Sequence, residues 1–346
     1  MEQKLSFSSD YMEGAHPRII ERLSQTNFIR AVGYGLDEYC ASAKHKICTA
    51  CQSPNAQVEF LVGGTQTNAT VIRAFLKNYQ GVIASDTGHI NTHEAGAIEA
   101  TGHKVITLPQ TLGKLVPAQV EQYLKTFYAD ANYEHSVQPG MVYISQPTEY
   151  GTLYSLDELT QLRTICLQYK LYLYVDGARL AYALASEKNT ITLPHLAQLC
   201  DVFYIGGTKC GALFGEAVVI PQPNLIPHFF TTIKQQGALL AKGRLLGIQF
   251  DELFTNGLYF ELGRHAIEMA HILRTGLAEK GAHFFFDTPT NQLFLIVENS
   301  KLPAIQKITD YGFWETYDES KTVIRFATSW ATRDEDIKTL LKQITL

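Results

Sequence analysis

Two stretches decide how this chain folds. The first is Leu171-Tyr172-Leu173-Tyr174-Val175-Asp176-Gly177-Ala178-Arg179, and the second is Val202-Phe203-Tyr204-Ile205-Gly206-Gly207-Thr208-Lys209-Cys210-Gly211. Each begins as a short run of apolar, aromatic and β-branched residues, which reads as a strand buried on both faces. Each run stops at glycines with a charged side chain beside them. In open α/β sheets ligands collect at the carboxyl ends of the strands. The pair would therefore bring an acid, Asp176, and an amine, Lys209, to one edge of a sheet.

Working outward, the same texture repeats. Short apolar runs at 58–62, 82–84, 105–108, 141–145 and 217–220 alternate with helical patterns near 69–77, 91–101, 116–127 and 156–169. Ser155 sits where an N-cap is expected. Strands alternating with helices predict an α/β fold, with a mostly parallel, mixed sheet covered on both faces. Residues 1–20 look irregular. Residues 21–52 read as helical, with Ile29, Val32, Leu36 and Tyr39 at helical spacing. After Pro221 the pattern changes. Residues 225–257 are helix-rich and 258–280 read as one long helix. Strands near 283–286, 293–297 and 323–326 and helices near 302–311 and 334–346 follow. This predicts a large domain over 21–250 and a small α+β domain over 251–346, with residues 1–20 packing near the site. A length of 346 residues fits two domains.

The bulk numbers exclude several classes. Hydrophobic residues make up 46% and charged residues 18% of the chain, which describes a well-buried globular protein. A net charge of −5 implies no basic face for nucleic acid. The polar start, Met1-Glu2-Gln3-Lys4-Leu5-Ser6-Phe7, holds no apolar core of a signal peptide. No apolar run approaches the roughly 18 residues of a membrane span. Six scattered cysteines fit reduced thiols in a cytoplasm better than disulfides. Cys48-Thr49-Ala50-Cys51, with His45 nearby, supplies too few ligands for a zinc site.

Several residues qualify for chemistry, each with a plainer alternative. Gly63-Gly64-Thr65-Gln66-Thr67-Asn68 joins a strand to a helix. It can cradle a phosphate, with Thr65 and Gln66 donating, or it is an ordinary turn with Thr65 as N-cap. It is not a Walker loop. His89 follows a strand and could stack on a flat ring; the plainer reading is a surface histidine. His93 lies four residues on, but the spacing is not His-Glu-x-x-His and no third ligand stands out, so no metal is expected. Asp176 ends an apolar strand and needs a cation or a capping role. Arg179 carries a planar fork suited to a carboxylate, or pairs structurally. Lys209 in its tight turn would have a desolvated amine of lowered pKa, as a nucleophile needs; a solvated loop lysine is the alternative. Arg325, alternating with apolar residues in Thr322-Val323-Ile324-Arg325-Phe326, either meets solvent or faces the cleft between domains. Lys234, Lys242 and Arg244 could bring positive charge to a phosphate, perhaps from a second subunit, or form a solvated face. The order cradle, His89, Asp176, Lys209, each at or past a strand end, suits an enzyme using pyridoxal phosphate. A lysine would make the Schiff base and an aspartate would face the pyridinium nitrogen. A nucleotide-binding oxidoreductase is the rival, but it requires a G-x-G-x-x-G turn, which is missing. A relative that binds cofactor without turnover is a third reading.

With these residues in place the chain resembles the threonine aldolases and related β-eliminating lyases, pyridoxal-phosphate enzymes of fold type I. The resemblance runs over nearly the whole length. It rests on Ser9-Asp10, Gly64-Thr65-Gln66-Thr67-Asn68, His89 with Glu94-Ala95-Gly96, Val175-Asp176-Gly177-Ala178-Arg179-Leu180, Lys209, and Ile324-Arg325-Phe326-Ala327-Thr328. It implies a seven-stranded large-domain sheet. It makes Lys209 the cofactor lysine, Asp176 the partner of the ring nitrogen and His89 the stacking residue. It gives the phosphate to Gly64, Thr65 and Gln66, and the substrate carboxylate to Arg179, Arg325 and Ser9. It further implies homodimers or homotetramers with shared sites. The expected reaction cleaves Cα–Cβ of a small β-hydroxy amino acid to glycine and an aldehyde; β-elimination and transamination are the alternatives. Two departures stand out. Gln146-Pro147-Thr148-Glu149-Tyr150-Gly151 puts Glu149 where the family's aldolases usually have a histidine. The lysine turn reads Gly-Gly-Thr-Lys-Cys-Gly, not Ser-Lys-Gly. Glu149 could still act as a base towards a β-hydroxyl.

Overall fold

A computed structural model describes residues 4–346. Residues 1–3, part of the polar start read above, lie outside the described residues. Seven strands form one sheet: β1 (Gln57–Leu61), β2 (Gln80–Ser85), β3 (Val105–Leu108), β4 (Gln138–Ser145), β5 (Tyr172–Asp176), β6 (Val202–Gly206) and β7 (Glu216–Ile220). Their order is β1-β7-β6-β5-β4-β2-β3. Only β7 runs antiparallel to its neighbours. Its first residue, Glu216, therefore reaches the same edge as the carboxyl ends of the parallel strands.

Side chains alternate across this sheet, as the period of two requires. Val142, Ile144, Leu173, Val175, Phe203 and Ile205 enter one core. Met141, Tyr143, Tyr174, Val202 and Tyr204 enter the other, together with Val71, Ile72 and Phe75 of helix α1 (Gly64–Phe75). Each fully buried Leu or Val contributes roughly 1.5–3 kcal/mol. Asp176 shares the parity of Tyr174, so it emerges on the α1 face. Gly177 must stay without a side chain, since a Cβ would lie 1.9 Å from the Tyr204 carbonyl oxygen.

Helix α2 (Leu156–Tyr169) opens with a full capping box between Ser155 and Glu158. Helix α3 (Leu258–Glu279) leads to an antiparallel sheet of β8 (His283–Phe284), β9 (Gln292–Glu298), β10 (Gly312–Thr316) and β11 (Lys321–Ala327). Leu293, Leu295, Ile324 and Phe326 pack a third core with Phe7. The segment Leu5–Ser6 pairs in parallel with Thr309–Asp310 as a separate two-stranded sheet, and the Ala327 N–H donating to the Phe7 carbonyl at 2.8 Å ties the same segment to β11.

Some expected elements differ. Residues 27–37 are not helical; helices run over Pro17–Thr26 and Glu38–Ala50. Tyr34 and Gly35 take positive φ, which breaks the helix. Ile29, Val32 and Leu36 are exposed there, while Tyr39 is buried on the second helix. The helix expected over 91–101 is two short turns, His89–Thr92 and Ala97–Ala100, separated at Ala95 and Gly96, both of positive φ. Strand β10 was not expected. No helix among the described residues is long and apolar enough to cross a membrane.

Candidate active site

The sheet's carboxyl edge holds a cavity of about 240 Å³ whose lining includes Gly64, Thr65, His89, Glu149, Asp176, Arg179, Thr208, Lys209 and Glu216. It opens into a mouth of about 510 Å³ that shares Tyr11, His89, Glu149, Arg179 and Lys209 and adds His93, Tyr150, Trp314 and Arg325. A cavity of about 570 Å³ lies elsewhere, around Ser186, Arg264 and Arg274. None of its lining residues carries a buried side-chain polar atom without a partner.

Asp176 sits at the floor, 4% exposed. Its Oδ1 accepts from Tyr204 Oη at 2.5 Å and from the Ala178 N–H at 3.0 Å. Its Oδ2 accepts from Tyr143 Oη at 2.7 Å and Asn68 Nδ2 at 3.1 Å. Four donors fill the roughly four lone-pair positions of a carboxylate. The Ala178 contact is a local side-chain turn and not a helix cap, since the helix Leu180–Ala185 has Arg179 as its N-cap without a side-chain bond; the other three donors hold the acid in a cavity. Burial lifts the hydroxyl pKa of Tyr143 and Tyr204 well above the usual value, so both remain donors.

Lys209 lies in the turn between β6 and β7. Its carbonyl accepts from the Tyr182 hydroxyl, and its Nζ is 6.0 Å from the Tyr11 ring centroid. Burial, then the nearby Arg179 charge, pulls the amine pKa down. Glu216 beside it is lifted above the carboxylate range by burial. Its oxygens accept from Thr208 Oγ1 at 2.8 Å and the Gly207 N–H at 3.2 Å. Glu216 went unnoticed in the sequence. Its signal was an acid abutting an apolar strand, the same signal that marked Asp176.

His89 begins the turn after β2. Its Nδ1 is 2.7 Å from Glu94 Oε1, and its backbone N–H donates to Glu149 Oε1 at 3.0 Å. Glu149 also accepts from Ser145 Oγ at 2.8 Å. Burial is the largest effect on Glu149, and with the nearby Asp176 charge it raises the carboxyl pKa. His93 borders the mouth, its pKa lowered by burial and by the neighbouring His89 and Arg325.

The chain's start closes the other wall. Arg179 is bound to Asp10, and Arg325 donates to Gln292 Oε1 at 3.0 Å and the Ser8 carbonyl at 2.9 Å. Arg325 Nε and Ser9 Oγ are buried with no partner among the described residues. Two guanidinium groups thus share one compensating carboxylate, which leaves room for a second anion. Arg325 stands directly across β9 from Phe294, and Trp314 packs on Phe294 at 4.6 Å and Tyr150 at 5.1 Å.

Not every expected residue joins the cavity wall. Gln66 turns its side-chain oxygen back to the Val62 N–H at 3.1 Å, and Thr65 is not the N-cap, since α1 is capped at Gly63. Ser9 is half-buried and does not line either space. Arg244 donates to the carbonyls of Asn27 and Ile29, and Lys234 lies 4.6 Å from the Tyr34 ring centroid. Within the protomer both therefore serve the 27–37 loop rather than a phosphate, because that loop's unpaired carbonyls and ring face are the nearer partners.

The donor set fits pyridoxal phosphate. The first amides of α1 have no intrahelical acceptor and suit a phosphate. The space where a Cβ of Gly63 would stand is open, with no atom within 4 Å. A carboxylate for the ring nitrogen, an imidazole for the ring face and a buried amine for the aldehyde line one chamber.

The description β-eliminating lyase belongs to the family model that matches residues 7–300. The chain is a member of that family. A low-specificity L-threonine aldolase from Pseudomonas sp. (strain NCIMB 10558) is 30% identical, over 99% of this chain and 98% of its own. The structure of a threonine aldolase from Leishmania major superposes with a TM-score of 0.94 at 43% identity, covering 98% of both chains. The aspartate aminotransferase of Thermus thermophilus, 13% identical, shares the fold with a TM-score of 0.71 over 98% of this chain and 90% of its own. This family member is thus a pyridoxal-phosphate-dependent lyase of fold type I, and the oxidoreductase reading falls away.

Proposed function

We propose that this lyase is a low-specificity threonine aldolase, cleaving the Cα–Cβ bond of a small β-hydroxy amino acid to glycine and an aldehyde. The observation that carries this reading is the mouth, where a buried carboxyl of raised pKa, Glu149, and a guanidinium, Arg325, border the space above Lys209. The relatives named threonine aldolase support the same substrate class.

Pyridoxal phosphate, when bound, supplies an electron sink for the pair left on Cα. The chain's own groups do the rest. Gly64 and Thr65 would hold the phosphate, Asp176 would keep the ring nitrogen protonated, and His89 would lie against the ring. Arg325, with Arg179 beside it, would hold the substrate carboxylate, and that grip would select which Cα bond is cleaved. Glu149 takes the β-hydroxyl proton as Cα–Cβ breaks. Its raised pKa matches that task better than an ordinary carboxylate.

Three further parts of the reading go with it. The protein forms a homodimer or homotetramer through the exposed apolar loop carrying Phe28, Val32 and Leu36, of which Phe28 is 95% exposed. It works in a reducing compartment such as the cytoplasm, because all six cysteines are buried and free. Its domains divide near residue 250, ahead of α3.

A panel of L-amino acids, assayed for aldehyde, keto acid and ammonia, tests the assignment. Acetaldehyde and glycine from threonine are expected. Keto acid and ammonia from serine or cysteine, without acetaldehyde from threonine, would make the protein a β-eliminating enzyme instead.

A further inference from the structure

Helix α1 carries one more polar side chain into the site, and no step above uses it. Asn68 is fully buried, one turn beyond the cradle. Its nitrogen donates to Glu94 Oε1 at 2.7 Å and to Asp176 Oδ2 at 3.1 Å. Its oxygen accepts from Tyr174 Oη at 2.7 Å. The amide has one workable orientation, because turned over it would set its oxygen against two carboxylates.

Glu94 depends on this arrangement. The single oxygen Oε1 takes both Asn68 and His89, while Oε2 is buried with no partner. A bare buried carboxylate oxygen costs stability unless something else requires it there. What it secures is the His89 ring: the imidazole is held by Glu94, and Glu94 by Asn68.

We infer that Asn68 is a positioning residue. Its one amide ties the imidazole meant for the cofactor's ring face and the carboxylate meant for its ring nitrogen to the helix that holds the phosphate. The inference rests on the roles given above to His89 and Asp176. One side chain would then set all three cofactor contacts relative to each other.

Apoproteins of the wild type, Asn68→Ala and Tyr174→Phe, titrated with pyridoxal phosphate, test this through the dissociation constant and the position of the visible band. Lys209→Ala serves as the control without a band. For Asn68→Ala a tenfold or greater loss of cofactor affinity and a displaced band are expected. With cofactor saturating, kcat should fall while the substrate KM stays within about twofold, because the carboxylate clamp at Arg325 does not touch Asn68. A folded Asn68→Ala protein with wild-type affinity and band would overturn the inference. Should that variant fail to fold, Tyr174→Phe decides. It frees the amide oxygen alone, and both readouts should move in the same direction by threefold or less; no change in either would overturn the inference. A wild-type protein that shows no band at all would instead remove the assignment of this cavity to the cofactor.

Discussion

Arg179 donates to Asp10 twice, through Nε to Oδ2 at 2.6 Å and through Nη2 to Oδ1 at 3.0 Å. Asp10 also accepts from Asn291 Nδ2 at 2.9 Å and is fully buried. A two-point pair of this kind is held at fixed geometry. In the role proposed for it, Arg179 would meet an incoming carboxylate with the part of its fork that Asp10 leaves free. Asp10→Ala strands a buried cation, and about 3–5 kcal/mol of stability should be lost. Urea denaturation checks this, and a fall of 1 kcal/mol or less would show that Arg179 finds another partner.

The same pair predicts a dependence on acid. Burial opposes ionisation of Asp10, but Arg179 and then Lys209 outweigh it and hold the carboxyl down at about 2. The unfolded value is near 3.9. The folded pKa is the lower one, so the pair's stabilisation is present above about pH 4 and is lost as pH falls towards 2. It amounts to about 2–3 kcal/mol. The urea midpoint of the wild type should drop over that window, and that of Asp10→Asn should drop less.

Glu149 should set the acid limb of the rate profile. Its carboxyl is raised, chiefly by burial, so it loses its basic form at a higher pH than an exposed glutamate. Glu149→Gln should lower kcat by about 10²–10⁴ and remove that limb, with the visible cofactor band retained. A variant that keeps most of the wild-type kcat would pass the proton-accepting role to another group, His93 being nearest the mouth.

The floor of the site offers a finer test. Asp176 already receives four hydrogen bonds, so on the proposed reading a cofactor ring N–H would have to share a lone pair with one of them. Tyr143→Phe empties one such position. It should leave cofactor affinity within about threefold of the wild type, whereas Asp176→Ala should weaken it far more. Comparable losses in both variants would mean that Tyr143 itself contacts the cofactor.

The 27–37 loop predicts assembly. Phe28→Asp with Leu36→Asp should shift the sedimentation coefficient to that of a smaller species, while the far-UV circular dichroism stays unchanged. An unaltered coefficient would move the interface elsewhere.

Much of the large sheet could be read from the chain, because strands buried on both faces leave unbroken apolar runs, as 171–175 and 202–205 do. Asp176 and Lys209 were visible for the same reason: a charge that ends such a run has few places to go but the sheet's edge. The 27–37 loop misled because Ile29, Val32 and Leu36 keep helical spacing without being buried, and nothing local marks an apolar side chain as awaiting a cover. Strand β10 was hidden by its partial exposure and by the register shift between Phe313 and Glu315. Asn68 and Glu94 lie in stretches that carry the resemblance, but their contacts could not be read, since a polar residue on a helix or turn gains its meaning only from groups brought in by distant strands. Asp10 belongs with them, lying 169 positions from the arginine it holds.

The pairing of Leu5–Ser6 with Thr309–Asp310 bears on how the enzyme comes into being. The strand that carries Arg325 also receives the start of the chain, as the Ala327 N–H donates to the Phe7 carbonyl at 2.8 Å. During translation residues 4–11 leave the ribosome long before this docking surface exists. They must wait unanchored for some three hundred codons, and until they are captured the chamber lacks both Asp10 and Tyr11. A nascent chain can thus complete its sheet while Arg179 still lacks its carboxylate partner and the cavity one of its walls.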